Sequence, residues 1–467
     1  MRKYSVVICG GGSTYTPDML ELLCIIRKSF PLRKVVLYDC VEERQRIVGE
    51  FGKVLFSEYY EDVEFGYTTS KEEAFRDIDF AFVQIRAGGM ELRNQDEKIP
   101  YRHGCIGQET CGAGGLAYGL RSVPQMVELI RDIRTYSKDS WIINYSNPAA
   151  IVAEATKRVF PEDKKIINIC DMPTSVLDRY LPLIGKKRCE IQPIYIGLNH
   201  FGWFTKLLDK KTGEDLLPRL LHDIQTNYEK LHKEFEDEIQ GEADHWGITF
   251  LNHLEMIHDF PYSLPNTYNL YYLYPNKSYG HYRPDYTRYD EVIGGREKNV
   301  FSFCKEIAAL GKMKGTKYDI SKKIDPSTEV VADMTVDSMA YNDVHAAYLV
   351  ELVLSIINNA HEFALVMVKN DGICPNLDSE MMLEATCLVG SQEIMPLSYG
   401  EVPQFEKGLL ENQFACEKLL VDAIFEKDDL KLLQAFTENR IIRDAETAKQ
   451  IIADFKIANE GYWPEFG

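Results

Sequence analysis

The sequence predicts an α/β protein: an N-terminal Rossmann-like, doubly wound parallel sheet over residues 1–195, then a mixed α+β domain over 196–467. Three observations carry this. Short, continuously apolar runs alternate with helix-like stretches through the first two hundred or so residues, as strands covered on both faces require. The first run ends in Gly10-Gly11-Gly12 just before a helical pattern. The texture then changes near Pro193, and nine of the 28 residues from Tyr262 to Tyr289 are tyrosine.

In chain order, Val6-Val7-Ile8 reads as a strand, followed by the glycine turn and a helix over Asp18 to Lys28. Val35 to Tyr38 is the second strand and ends in Asp39. Ile78 to Ile85 is the third; beyond it Arg86 to Arg121 reads as a long glycine- and arginine-rich loop suited to a lid. Trp141 to Asn144 and Ile166 to Ile169 complete the set, with a helix from about Ala149 between them. Ile194 to Leu198 and Gly202 to Leu207 are strand-like, and Leu220 to Gln240 is a charged helical stretch. The tyrosine-rich segment looks poor in helix. Asn342 to Asn370 and Lys407 to Asn459 look helical.

Composition excludes several classes of function. The formal net charge is −19, a poor match for nucleic acid or anionic lipid. An anionic small molecule would need a local cluster of cations. No apolar run approaches the ~18 residues of a membrane-spanning helix. Met1-Arg2-Lys3 begins like a signal peptide, but the apolar run stops at Gly10 and no small-residue cleavage site follows. The eleven cysteines are odd in number and scattered, which suits reduced thiols in cytoplasm.

The chemistry-bearing residues sit at strand tips. Gly10 and Gly12, with Ser13 after them, fit the first two positions of a dinucleotide fingerprint, where backbone approaches a pyrophosphate. Tyr15 stands where the third glycine belongs. Asp39 suits a ribose diol and repels a 2′-phosphate, so NAD is expected over NADP; a tight turn with a solvated acid is the alternative. Asn147 before Pro148 is either a helix N-cap or a ligand contact beyond a strand end. Cys170 is a buried structural thiol or, with His200, half of a divalent-ion site completed by substrate and water. His200, in an aromatic run, is otherwise a hydrogen-bonded core residue. In the glycine-rich loop, Gly107 and Gly112 bracket Glu109. Arg93 and Arg288 are candidate anion clamps, since guanidinium grips carboxylate or phosphate in two places. The tyrosines serve packing, an oligomer contact or sugar stacking; one could act as a base only if a cation lowered its pKa of about 10.

Taken together, Gly10 to Pro17, Gly107 to Gly115, Asn144 to Ala150, Asn168 to Pro173, Gly197 to Trp203, Leu264 to Tyr268 and Thr287 to Glu297 resemble glycoside hydrolase family 4, and within it the 6-phospho-α-glucosidases. The resemblance runs nearly end to end. It implies NAD⁺ and Mn²⁺, and hydrolysis by oxidation at C3, elimination across C1–C2, water addition and reduction, a recognised departure from two-carboxylate hydrolysis. It also implies the roles: metal on Cys170 and His200, Asp171 as proton donor, Tyr268 as base, Glu109 making that tyrosine more basic, and Arg93, Asn147 and Arg288 on the substrate. An Asp beside the cysteine, where β-specific members tend to carry Asn, points to α-linkages. The implied partner is a small sugar phosphate, and the assembly a homodimer or homotetramer. A 2-hydroxy-acid dehydrogenase would share the nucleotide turn and the Asn-Pro strand tip, but would not explain Cys170 with His200 or the tyrosine-rich half. A non-enzymatic NAD sensor would bind NAD and hydrolyse no glycoside, with or without Mn²⁺. Within the family, the alternatives are a 6-phospho-β-glucosidase or a non-phosphorylated α-glycosidase.

Overall fold

The computed structural model describes residues 2–241, 244–281, 285–323 and 344–466. Its strands are β1 (Tyr4–Cys9), β2 (Leu32–Tyr38), β3 (Glu64–Thr68), β4 (Phe80–Val83), β5 (Trp141–Asn144), β6 (Ile166–Asn168), β7 (Ile191–Leu198), β8 (Phe201–Asp209), β9 (Leu264–Pro265), β10 (Glu362–Lys369), β11 (Met382–Val389) and β12 (Ile394–Pro396). They form one sheet in the order β3-β2-β1-β4-β5-β6-β10-β11-β7-β8-β9, with β12 on β11. The first six pair in parallel in the doubly wound order. From β6 onward the pairings are antiparallel.

Strand β1 shows why its run is apolar throughout. Val6 and Ile8 face one core with Met19 and Leu22, while Val7 and Cys9 face the other with Ile130 and Ile142. Both faces are covered, so apolar residues fill the run from Val6 to Cys9, and the polar Ser5 beside it is buried as well. The carboxyl ends of β1, β2, β4, β5 and β6 therefore open on one edge, where ligands of such sheets sit.

Several elements differ from expectation. The helical run from Asn342 stops at Asn358; Asn342 lies outside the described residues, and the helix is described over Val344–Asn358. Glu362–Lys369 is instead β10, paired over its full length with β11. Its β-branched and aromatic residues gain more from this long-range ladder than from extending the helix. Strand β3 is a half-buried edge, too weakly patterned to be read from sequence. The tyrosine-rich segment holds short helices at Asn269–Leu273, Pro275–His281 and Arg288–Glu291; Tyr282 lies outside the described residues.

The supposed lid is mostly helix, Gly89–Arg102 and then Gly112–Tyr136. Its glycines serve close packing. A Cβ on Gly107 would lie 1.7 Å from the Glu97 carbonyl oxygen, and one on Gly114 2.3 Å from that of Gln108. A fully buried Arg121 grips Asp96 with both nitrogens, at 3.0 and 2.6 Å, and so ties the two helices together.

A buried histidine links the end of the helix Met172–Tyr180 to strand β9. His253 receives the Tyr180 hydroxyl at 2.9 Å and donates to the Pro265 carbonyl at 2.8 Å. Burial pushes its pKa down from 6.5 to about 4, against the opposing Pro265 bond. A base depressed this way gives stability that is whole above pH 6.5 and is lost as pH falls towards 4. We predict that between pH 7 and pH 4 the parent loses about 3 kcal/mol more unfolding free energy than His253→Gln. Denaturant titrations at both pH values check this; parallel losses would contradict it.

Candidate active site

The strand ends and the tyrosine-rich half enclose a cleft of about 1150 Å³, and all twelve candidate residues line it. At one end lies the glycine turn. Gly10 has φ +84°, and a Cβ there would stand 2.6 Å from the Gln84 carbonyl oxygen. Only glycine fits, and the space in front stays open for a ligand's backbone approach. Asp39 accepts the Gly12 N–H at 2.9 Å and the Val41 N–H at 3.0 Å, so the acid is fixed at the tip of β2 facing the cleft. Ser13 follows, and the helix Thr16–Ile25 presents its N-terminus to the same space. The missing third glycine has a consequence. The close approach is met at Gly12, whose Cβ would touch Arg44, and the Tyr15 ring is covered by the Arg296 guanidinium at 3.7 Å. Arg44 grips Glu297 with both nitrogens, at 2.9 and 2.8 Å, which ties the later half of the chain over the turn.

At the other end, Cys170 leaves β6 and His200 occupies the two-residue turn between β7 and β8. Cys170 Sγ and His200 Nε2 are 3.4 Å apart. Two donors at about 2.1–2.3 Å from one ion would stand at about that separation. Burial pushes the His200 pKa down to about 4, so its ring is neutral and can offer a lone pair. Burial, and then the neighbouring Asp171, push the Cys170 thiol well up. A cation is what would hold it as thiolate. Among the described residues no group of three or more His, Cys, Asp and Glu gathers as a metal site. Two protein ligands with open positions therefore fit a loosely held ion that also takes substrate oxygens.

Asn147 settles one of the open alternatives. The helix begins at Ala149 with Pro148 at its cap, so the Asn147 side chain is not a cap. Its Oδ1 is buried without a hydrogen-bond partner on the cleft wall. A buried orphan acceptor is costly, and on the cleft wall this oxygen is open to a donor from a water or a ligand.

The Tyr268 ring meets the His200 ring edge-on at 4.3 Å. Its loop is fastened by Asn266, whose Oδ1 accepts the Tyr268 N–H at 3.0 Å, and by Asn269, which bonds both backbone groups of Gly202 at 3.2 Å. Asp171 stands at the start of the helix Met172–Tyr180 without capping it. Glu109 lies between two guanidiniums, bonded to Arg86 and, at 3.1 Å, to Arg93. Burial alone would raise its carboxyl, but Arg86, Arg93 and Arg288 outweigh that and hold it below its ordinary value. Arg93 also bonds Glu97 at 2.8 Å. Arg288 pairs with Glu291 beside Trp246.

Sequence reasoning missed Arg86, Arg44 and Arg296. The first ends a predicted strand and the last follows two glycines, but only the fold shows that each faces the cleft.

Residues 5–183 match the family 4 glycosyl hydrolases, and residues 195–442 match the C-terminal domain of that family. A phospho-α-glucosidase of Clostridium acetobutylicum is 49% identical over 466 residues, all of both chains. A 6-phospho-α-glucosidase from gut microorganisms, solved in complex with NAD and Mn²⁺, superposes with a TM-score of 0.90 at 44% identity over all of both chains. Another, solved with NAD and glucose 6-phosphate, gives 0.87 at 37% identity, again over both whole chains. With both halves matched, and with relatives this similar along their whole length, the chain belongs to family 4 of the glycosyl hydrolases.

Proposed function

We propose that this protein hydrolyses α-glucosides phosphorylated at the 6-position, such as maltose 6′-phosphate, to glucose 6-phosphate and the free aglycone, with NAD and Mn²⁺ as cofactors. One observation carries the reading: a thiol–imidazole pair, a carboxylate and a tyrosine meet in the same cleft as a dinucleotide turn. The phospho-α-glucosidase name of the 49% relative, and the NAD, Mn²⁺ and glucose 6-phosphate complexes of the solved ones, support it.

When bound, NAD⁺ accepts and returns the hydride of sugar C3, and the divalent ion polarises the resulting carbonyl. The chain's own residues do the rest. Gly10, Gly12, Ser13 and Asp39 hold the dinucleotide. Cys170 and His200 hold the ion. Tyr268 takes the proton from C2, which is acidic only while C3 is a ketone. Asp171 gives a proton to the departing glycosidic oxygen. Arg93, Asn147 and Arg288 orient the sugar phosphate; in a chain of net charge −19 the dianion must be met by such local cations. Glu109, kept ionised by its arginines, favours the phenolate's proton uptake. The protein acts in the cytoplasm as a homodimer or homotetramer, consistent with eleven free cysteines.

The test is a panel of 4-nitrophenyl α- and β-glucosides, with and without 6-phosphate, assayed with NAD⁺ and Mn²⁺. Only the phosphorylated α-glucoside should turn over well; equal kcat/KM on the plain glucoside would overturn the assignment. Chelation should abolish that turnover and Mn²⁺ restore it. His200→Ala should stay more than about 100-fold down at Mn²⁺ levels that saturate the parent, since loss of outer-shell partners alone costs 10–100-fold. Full activity after exhaustive chelation would remove the metal site from the account.

A further inference from the structure

We propose that Glu384, outside the cleft lining, is a positioning residue that holds the His200 turn and the Tyr268 loop in register; this rests on the functional reading above. Glu384 lies in the middle of β11, opposite Gly197 of β7 and Met367 of β10. It is fully buried. Two chains of contacts leave its carboxyl group. On one side Asn199 Nδ2 donates to Oε1 at 3.3 Å. Asn199 and His200 are the two turn residues between Leu198 and Phe201, and His200 sits at φ +63°, a backbone state uncommon for a side chain of this size. Anchoring Asn199 therefore anchors the ring that offers Nε2 to a metal.

On the other side the Tyr195 hydroxyl rests against the same carboxyl. Tyr195 receives Asn266 Nδ2 at 3.2 Å, and Asn266 Oδ1 accepts the Tyr268 N–H at 3.0 Å. Gly202 makes room for this arm, since a Cβ there would stand 2.5 Å from the Tyr195 hydroxyl. Asn199, Tyr195 and Asn266 are all buried.

A purely structural role does not explain a carboxyl here. Oε2 has no well-formed hydrogen bond, so an apolar side chain of similar size would spare the fold the cost of burying it. Burial pushes the carboxyl up to about 8, with Asn199 and Tyr195 opposing and Asp171 adding to the rise. Both arms end on a polar group, which an apolar side chain of the same size would not offer them.

The experiment compares Glu384→Gln and Glu384→Leu by Mn²⁺ binding, read from the electron paramagnetic resonance signal of the free ion, and by kcat and KM on 4-nitrophenyl α-glucoside 6-phosphate. NAD⁺ affinity reports that each variant is folded. Glu384→Gln keeps both arms and should stay within about threefold of the parent in both readouts, whereas Glu384→Leu should weaken Mn²⁺ binding and lower kcat by about 10–100-fold each, with KM little changed. If Glu384→Leu fails to bind NAD⁺, single-arm variants decide. Asn199→Leu should weaken Mn²⁺ binding, and Tyr195→Phe should lower kcat with Mn²⁺ affinity kept. Parent-like Mn²⁺ binding and kcat in Glu384→Leu, or in both single-arm variants, would overturn the proposal. So would a Glu384→Gln protein as impaired as Glu384→Leu. A parent that binds Mn²⁺ yet cleaves no phosphorylated α-glucoside would instead sink the functional reading, and the Mn²⁺ comparison would still stand.

Discussion

Tyr268→Phe is expected to lower kcat on maltose 6′-phosphate by about 10²–10⁴-fold, towards the upper end of what a lost general base costs. The substitution keeps the ring, so the edge-on contact with His200 and the packing against Tyr271 should survive. The backbone bond to Asn266 does not involve the hydroxyl. What is lost is the only proposed group that can take the C2 proton. Water is a poor substitute in a cleft whose walls are tyrosines and paired charges. KM should move little, because the hydroxyl acts on the reacting carbon. Steady-state kinetics check this, with thermal unfolding to show that the fold is intact. A kcat within tenfold of the parent would return Tyr268 to a packing role.

The second large effect is at Asp171. A glucosyl oxygen leaving as an alkoxide needs a proton, whereas nitrophenolate leaves readily without one. Asp171→Asn should therefore lower kcat on maltose 6′-phosphate by about 10²–10⁴-fold and on the nitrophenyl substrate much less. Asp171 does not cap the helix it precedes, so Asn at that position should not disturb the fold. Equal losses on both substrates would argue against proton donation to the leaving oxygen. Metal binding serves as a further check, because Asp171 adjoins Cys170 in sequence and its charge is felt by both Cys170 and His200.

Much of the site was legible because it lies where local sequence speaks clearly. A parallel strand buried on both faces is apolar along most of its length, so its end is marked sharply by Gly10, Asp39, Asn147 or Cys170. The fold then gathers those ends on one edge. The parts not legible are those decided by distant partners. Residues 362–369 look helical until β11 is available to pair with them. The glycines from Gly107 to Gly115 look like hinges until the carbonyl oxygens of Glu97 and Gln108 are seen pressed against them. Asn147 could have been a cap until the helix was found to start beyond it. Glu384 carries no sequence signal, because its partner Asn199 is 185 residues away. Arg86 and Arg44 meet Glu109 and Glu297 only once strands and helices are assembled.

The central claim is that the C2–H bond of the sugar breaks in every turnover while the nucleotide undergoes no net change. Hydrolysis of maltose 6′-phosphate by the Mn²⁺- and NAD⁺-loaded enzyme in D₂O, followed by NMR of the released glucose 6-phosphate, tests this most directly. The account predicts deuterium at C2, with no steady rise in absorbance from reduced nucleotide. A product carrying only protium at C2 would contradict it, since direct displacement at C1 never touches that bond.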